Sequence, residues 1–500
     1  MSLETTGKLA RGPLLANGMR PVLHLIGMVL LSTSGMMLIP MAADIYFDNK
    51  DWQSFAAAAA LAAALGLLLA RIGRSGAHAG MTLRQAFLLT PLCWLSVSLV
   101  SAMPFFFSDY GIVSRSMADA FFEAVSGITT TGATVISGLE EAPPGILLWR
   151  ALLQWMGGIG IIATAIAILP ALGIGGMQLF RTESSDRSDK VMPRVRQMAM
   201  AIGAVYMGLT MIATAVYWLA GMRAFDALAH ALTSIATGGY STSDASFGNW
   251  EANGIQWFGA LFMLSGSIPF VVYVRFLAGD RRAVWDRQVR TMLAFVGIVI
   301  MLIGSWLVIT GQYAIEPAFR HAAFNVVSVV TTTGFASADY ALWGNTLVGI
   351  FFALMFVGGC TGSTSGGIKI FRFEVMAVML KTHFRRLLFP RGVFPRSYDN
   401  KPLSDEVVGS VVAFFAVFFL CYGALTIALM AVGLDFLTSA SGAVTALSNV
   451  GPGLGDIIGP AGNFGTLPDT AKWLLSAGML LGRLELFTVL ILFIPRFWRG

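Results

Sequence analysis

Ten stretches of this chain are apolar over the length needed to cross a bilayer, at about 22–43, 53–72, 85–107, 148–172, 195–219, 255–279, 289–311, 345–380, 406–431 and 471–495. Hydrocarbon offers no water to satisfy backbone amides, so runs of this kind are restricted to helices that close their hydrogen bonds internally. Only 12% of the 500 residues are Asp, Glu, Lys or Arg, about half the share in a soluble domain. The longest polar stretch is Lys381–Asp405, too short for a separate globular domain. The expected fold is therefore an all-α polytopic membrane protein.

Orientation follows from the basic residues. With the N-terminus in the cytoplasm, only Lys50, Arg115, Arg150, Arg223, Arg320 and Lys472 of the 33 Lys and Arg fall in outer loops. The clusters Arg181–Arg196, Arg275–Arg290 and Lys381–Lys401 fall inside, as the positive-inside rule requires, and both termini are expected to be cytoplasmic. Pro21–Pro40 lacks a signal-peptide cleavage pattern and is long enough to remain as an anchor. The net charge of +6 is spread over short connectors, which argues against nucleic acid as a partner. Asp44, Asp48, Asp51, Asp109, Glu140, Glu141, Asp244, Glu251, Asp339, Asp456 and Asp469 fall outside. They would concentrate cations there or simply solubilise the loops.

Between the crossings lie four shorter apolar segments, about 117–129, 225–236, 319–331 and 437–448, each running into a Gly/Thr/Ser-rich stretch. They are too short and polar to span, so they are expected to be re-entrant. Each belongs to one repeated unit of apolar helix, polar turn, glycine and long crossing helix. The turns read Ile128-Thr129-Thr130-Thr131-Gly132, Ala236-Thr237-Gly238-Gly239, Thr331-Thr332-Thr333-Gly334 and Ser448-Asn449-Val450-Gly451. In the second, Gly239 rather than Gly238 aligns with the others, because it stands four residues after the aliphatic Ile235.

One such turn would be an ordinary surface loop. Four, each set between a crossing that ends outside and one that starts outside, point to a four-sided ion filter. A dehydrated monovalent cation needs replacement oxygens, and backbone carbonyls supply them only where the chain leaves helical geometry inside a protein-lined path. Glycine permits that backbone and the close approach of several strands. The short helices would turn the negative ends of their dipoles toward the cation. Asp119, Glu123, Asp226, His230 and Arg320 would lie nearer the outer ends of these helices, in capping, outer-pocket or ion-binding roles.

Segment 345–380 is interrupted by Gly358-Gly359-Cys360-Thr361-Gly362-Ser363-Thr364-Ser365-Gly366-Gly367-Ile368-Lys369, so a continuous helix is not expected. This patch either occludes the path below Gly334 as a gate or serves close helix packing. Lys369 either repels cations or begins the basic inner edge. Arg483 pairs with pore or gate groups, or structurally with nearby Glu485. Gly157-Gly158-Ile159-Gly160 and Gly173-Ile174-Gly175-Gly176 read as helix contacts or loops. The five histidines form neither a metal set nor a catalytic triad, so an enzyme is not expected. Cys93, Cys360 and Cys421 lack metal or redox spacing and read as packing residues.

At these repeats the sequence resembles the bacterial Trk/Ktr/HKT potassium-transporter superfamily, most closely its TrkH/TrkG type, over roughly residues 20–497. The marks are Ile128–Gly132, Ile235–Tyr240, Val330–Phe335, Ser448–Gly451, Gly158–Pro170, Gly358–Lys369 and Gly482–Glu485. The resemblance implies an N-terminal helix pair, 1–80, followed by four pore repeats at 81–180, 181–284, 285–395 and 396–500. It implies potassium as the transported substrate, held at Thr129, Thr130, Ala236, Thr237, Thr331, Thr332, Ser448 and Asn449, with glycine at all four filter positions fitting potassium-selective members. It implies a gate at Gly358–Lys369 with Arg483, a homodimer in the bacterial inner membrane, and control by a cytosolic TrkA-like ring. That ring, rather than this chain, would bind a nucleotide, and no organic cofactor is expected here. The expected function is potassium uptake through a gated, channel-like pore. Alternatives are a potassium symporter coupled to protons or sodium and a non-transport assembly subunit.

Overall fold

The computed structural model describes residues 18–74, 81–167, 191–250, 254–399 and 401–499. The glycines at 173–176, the basic stretch from 181 to 190 and the repeat boundary expected at 180/181 lie outside them, as do 1–17. Helices Arg20–Tyr46 and Trp52–Gly73 come first and pack along one another. Four units of crossing helix, short helix, irregular strand and second crossing helix follow. The first crossing helices are Leu83–Ser101, continued by Met103–Phe107, then Val191–Leu219, Arg287–Ile309 and Asp405–Ala431. The short helices are Met117–Ile128, Ala224–Ile235, Ile315–Val330 and Phe436–Ser448. The segments expected to be re-entrant are thus the short helices.

The second crossing helices depart from the straight spans expected. Pro144–Ala167 is continuous, but Ile255–Ser267 and Phe270–Leu277 meet at 89°, and Asp469–Arg483 and Phe487–Phe493 meet at 105°. Pro269 accounts for the first bend, because it has no N–H and holds Ile268 extended at ψ 144°. At the second, Glu485 and Leu486 both take positive φ, 60° and 48°, which no helix continues through. The interruption expected in 345–380 is present. Asn345–Leu354 ends, residues 355–369 are irregular, and Ile370–Leu388 resumes. Seven described helices are long and apolar enough to cross a membrane, or nine if each bent pair counts as one span. The broken third unit supplies the tenth expected stretch. The polar stretch after Lys381 holds a small hairpin, Ser397–Tyr398 against Lys401–Pro402.

Among the described residues, two large clusters hold most of the buried core, beside three small ones. One cluster joins the N-terminal pair to the first and fourth units through Phe55, Trp149 and Met479. The other joins the second and third through Tyr217, Phe247 and Phe324. The four irregular strands lie where these two clusters meet.

Candidate functional site

Each short helix ends in the same way. The N–H of Thr130 reaches Gly127 O and that of Thr131 reaches Ser126 O. The pairs Thr237/Ser234 with Gly238/Thr233, Thr332/Val329 with Thr333/Ser328, and Asn449/Ala446 with Val450/Thr445 repeat this pattern at 2.8–3.3 Å. These are Schellman closures, which need a left-handed residue just past the helix. Thr130, Thr237, Thr332 and Asn449 fill that place with φ of 53°, 50°, 55° and 55°. Asn tolerates it, but a β-branched Thr is strained there by about 1–2 kcal/mol. Only Asn449 signals such a cap from sequence. The three threonines do not.

Two residues on stand Gly132, Gly239, Gly334 and Gly451, all at positive φ, so the second strand registers on Gly239. A methyl placed on Gly132 would lie 2.2 Å from Gly238 O, on Gly239 1.9 Å from Thr333 O, on Gly334 2.1 Å from Val450 O, and on Gly451 2.8 Å from Thr131 O. Each glycine therefore touches the residue before the glycine of the next strand, in the order one, two, three, four, one. The strands close a ring with no room for a side chain. The carbonyls beside the glycines belong to Thr131, Gly238, Thr333 and Val450, which the sequence reading placed in the filter but not among the ion ligands. Thr130 Oγ1 and Ser448 Oγ are buried without a hydrogen-bond partner among the described residues.

On the face that carries the N-termini of the short helices, a cavity of about 150 Å³ opens onto Gly132, Gly239, Gly334 and Pro452. Of the acidic residues expected outside, Asp244 lines it, and its carboxylate accepts from the N–H groups of Gly138 and Leu139 at 2.7 and 3.1 Å. Nearby, burial opposes ionisation of Glu140, but hydrogen bonds from Ser243 and from backbone amides outweigh it and hold its pKa below the usual value.

Two of the residues flagged on the short helices, Glu123 and His230, are tethers, and Asn325, which was not flagged from sequence, is a third. Glu123, His230 and Asn325 each stand nine positions before their glycine and bind the strand that follows it. Glu123 accepts from Thr134 Oγ1 and Val135 N at 3.0 Å, His230 Nε2 meets Ser241 Oγ at 3.0 Å, and Asn325 Nδ2 donates to Ser337 Oγ at 3.0 Å. Asp226 accepts from Thr242, and Arg320 pairs with Glu316 and reaches Gln256. Arg150 and Lys472, counted above as outer-loop charges, are buried instead. Arg150 pairs with Glu123 at 2.8 Å and donates to Ser241 O, and Lys472 pairs with Asp119 at 2.5 Å. Apolar flanks had hidden neither charge; sequence could not show that each had a partner on another element.

The irregular segment of the third unit packs against the helix ends and strands of its neighbours. Gly358 N–H donates to Ile368 O at 2.9 Å and closes its base, while Cys360 and Thr364 N–H groups reach Ser267 O and Gly266 O. Thr237 Oγ1 donates to Thr364 Oγ1 at 3.0 Å, and Gly366 N–H donates to Thr332 Oγ1 at 2.6 Å. A methyl on Gly366 would strike Ser448 O. The segment thus touches the second, third and fourth of the irregular strands. Arg483 donates to Thr364 O at 2.8 Å and to Gly157 O at 3.3 Å. Its anticipated partner Glu485 pairs instead with Arg372. Lys369 is buried, with its ammonium on Ser365 O. A pocket of about 20 Å³ lies among Ser365, Gly366, Lys369, Leu447 and Arg483, close to the volume needed for one water. Among the described residues there is no group of three or more His, Cys, Asp or Glu that could hold a metal ion, and Cys93, Cys360 and Cys421 are free thiols.

Residues 53–499 match the model of the family described as TrkH, cation transport protein. The chain is 48% identical over 481 residues to the Trk system potassium uptake protein TrkI of Halomonas elongata, covering 96% of this chain and 97% of that protein. It is 36% identical over 486 residues to the TrkH protein of Escherichia coli K12, covering 96% and 99%. The crystal structure of the potassium transporter TrkH from Vibrio parahaemolyticus matches with a TM-score of 0.87 at 34% identity, covering 96% and 99%.

Proposed function

The chain belongs to the TrkH family of cation transport proteins, and we propose that it takes up potassium through the ring of four glycine strands. The observation that carries this reading is the cyclic contact of Gly132, Gly239, Gly334 and Gly451 with the carbonyl of the next strand. Such a ring presents backbone oxygens from four directions, as replacement of a potassium hydration shell requires. Potassium enters from the 150 Å³ vestibule, sheds water at the filter turns 129–132, 236–239, 331–334 and 448–451, and meets the segment Gly358–Lys369 below.

That segment acts as the gate. Its anchors on Thr332, Thr237 and Arg483 and the small space left beside it support a shut path. The membrane potential supplies about 2.3 kcal/mol per charge at 100 mV, enough for accumulation without chemistry in this subunit. The chain sits in the inner membrane with both termini cytoplasmic, divides into the pair and four repeats delineated above, and works as a homodimer. Its basic loops Arg275–Arg290 and Lys381–Lys401 dock a cytosolic TrkA-like ring that carries the regulatory nucleotide.

The test is cation flux into liposomes holding the purified protein, with potassium replaced by sodium and a proton gradient imposed separately. A potassium reversal potential that ignores the proton gradient is expected. A reversal that follows protons or sodium would replace this reading with coupled transport. Absence of flux even with the cytosolic partner added would leave only an assembly role.

A further inference from the structure

The four filter strands are not braced alike. In strands one and three a hydroxyl pair stiffens the turn, with Thr129 Oγ1 on Thr131 Oγ1 and Thr331 Oγ1 on Thr333 Oγ1, both at 2.7 Å. In strand four, Asn449 Nδ2 donates to Thr131 Oγ1 and to Met479 O, and Gly451 N–H donates to Thr445 Oγ1. Strand two has Ala236 and Gly238 at the places of the two hydroxyls, so it has no such pair.

Thr237 Oγ1 ties strand two to Thr364, but at the places of the missing hydroxyl pair what strand two has is Gln154, fully buried on the crossing helix of the first unit. Its Nε2 donates to Gly238 O at 2.6 Å, and its Oε1 accepts from Tyr240 N–H at 3.0 Å. One side-chain amide thus grips the strand on both sides of Gly239. The fit is close enough to explain Gly238 itself, since a methyl there would lie 2.4 Å from the Gln154 amide carbon and 2.8 Å from its Cβ. The departure of the second turn from the Thr-Thr-Thr-Gly form is the counterpart of Gln154.

Register within the repeats isolates this residue further. Gln154 stands three positions before Gly157, which lies against Ile128 O, the carbonyl ending the first short helix. Gly266 lies against Ile235 O and Gly482 against Leu447 O in the same manner. Three positions before these glycines stand Met263 and Met479, and before Gly358 of the broken helix stands Met355, all buried. Three units carry a methionine where the first carries a glutamine.

We infer that Gln154 is a positioning residue for ion selectivity, holding the Gly238 carbonyl in the filter ring by a bidentate grip that replaces the hydroxyl brace strand two lacks. A carbonyl oxygen has two lone pairs, so Gly238 O accepts from Gln154 and still serves a cation. The inference rests on the filter reading proposed above. Without the amide, the second strand shifts more freely and the ring fits sodium and potassium more equally.

The test is Gln154→Met, which keeps the side-chain length and copies the other three units, beside Gln154→Glu, which keeps the acceptor for Tyr240 but loses the donor to Gly238. Potassium-over-sodium preference is read from reversal potentials in liposomes, and folding from thermal melting of the purified protein. Both variants are expected to melt as folded protein and to lose about three- to tenfold in preference, the scale of one hydrogen bond. Unchanged preference in both folded variants would overturn the inference. So would loss of folded protein in both, because it would assign Gln154 to packing alone. Gly334→Ser is the control for the reading beneath it. If that substitution also leaves preference intact, the filter assignment fails, whereas an altered Gly334→Ser beside an unaltered Gln154→Met fails only the inference.

Discussion

Replacing Gly334 by alanine tests the ring most directly. The added methyl would stand 2.1 Å from Val450 O and 2.9 Å from Pro452 Cδ, whereas ordinary van der Waals contact begins at 3.4 Å. Strand three or strand four must therefore move by more than 1 Å. Alanine at φ 86° adds about 1–2 kcal/mol of left-handed strain, and forcing atoms into a closed packing costs about 1–3 kcal/mol. Together the penalty is about 2–5 kcal/mol, and because it is relieved only when a strand leaves the ring, at 1.4 kcal/mol per decade the intact ring is populated roughly 30-fold to a few thousandfold less and potassium flux falls with it. Flux into liposomes, normalised to folded protein, measures it. Gly349→Ala is the matched control, because Gly349 is exposed on a helix with nothing within 4 Å of the added methyl, and its flux should equal that of the unmodified protein. Among the ring positions, Gly451→Ala should be mildest, since its methyl meets Thr131 O only at 2.8 Å. Flux and ion preference in Gly334→Ala equal to those of Gly349→Ala would refute the ring as the selective element.

Two further outcomes follow from contacts around the ring. Thr332→Val removes the acceptor for Gly366 N–H and leaves a partly buried donor unpaired at about 1 kcal/mol; single-channel or flux recordings should show greater leakage, while Thr332→Ser should behave as the unmodified protein. Arg150→Met breaks the buried pair with Glu123 and should cost about 3–5 kcal/mol of stability. A thermal-melting cycle should recover a substantial part of that loss when Glu123→Leu is added, because no buried carboxylate is then left without its partner.

Much of the site was legible because its determinants are local. The short helices, the four turns and the choice of Gly239 over Gly238 follow from residues a few positions apart. Apolar length sets a helix, and glycine marks where its backbone must leave one. The break after Leu354 was equally local, written in the run Gly358–Gly367. The right-angle bend at Pro269 carried a signal too, since a proline follows an extended residue there, but apolarity over 255–279 masked it. The left-handed threonines had no sequence signal, because threonine is a poor choice for that conformation and is held there by the Schellman bonds around it and, at Thr237 and Thr332, by hydrogen bonds to the irregular segment of the third unit.

By itself, then, the sequence determined that this chain is a bundle of helices in lipid with four copies of one re-entrant unit, since hydrogen-bond satisfaction in hydrocarbon and the repeat pattern leave few other solutions. Tertiary structure alone decided which units are neighbours, and so which partners meet. Lys472 reaches Asp119, Arg372 rather than Arg483 takes Glu485, and Gln154 takes Gly238. These pairs stand dozens to hundreds of residues apart. Periodicity fixes the face a residue occupies within its own helix, but only the closing of the four strands into a ring fixes what that face meets.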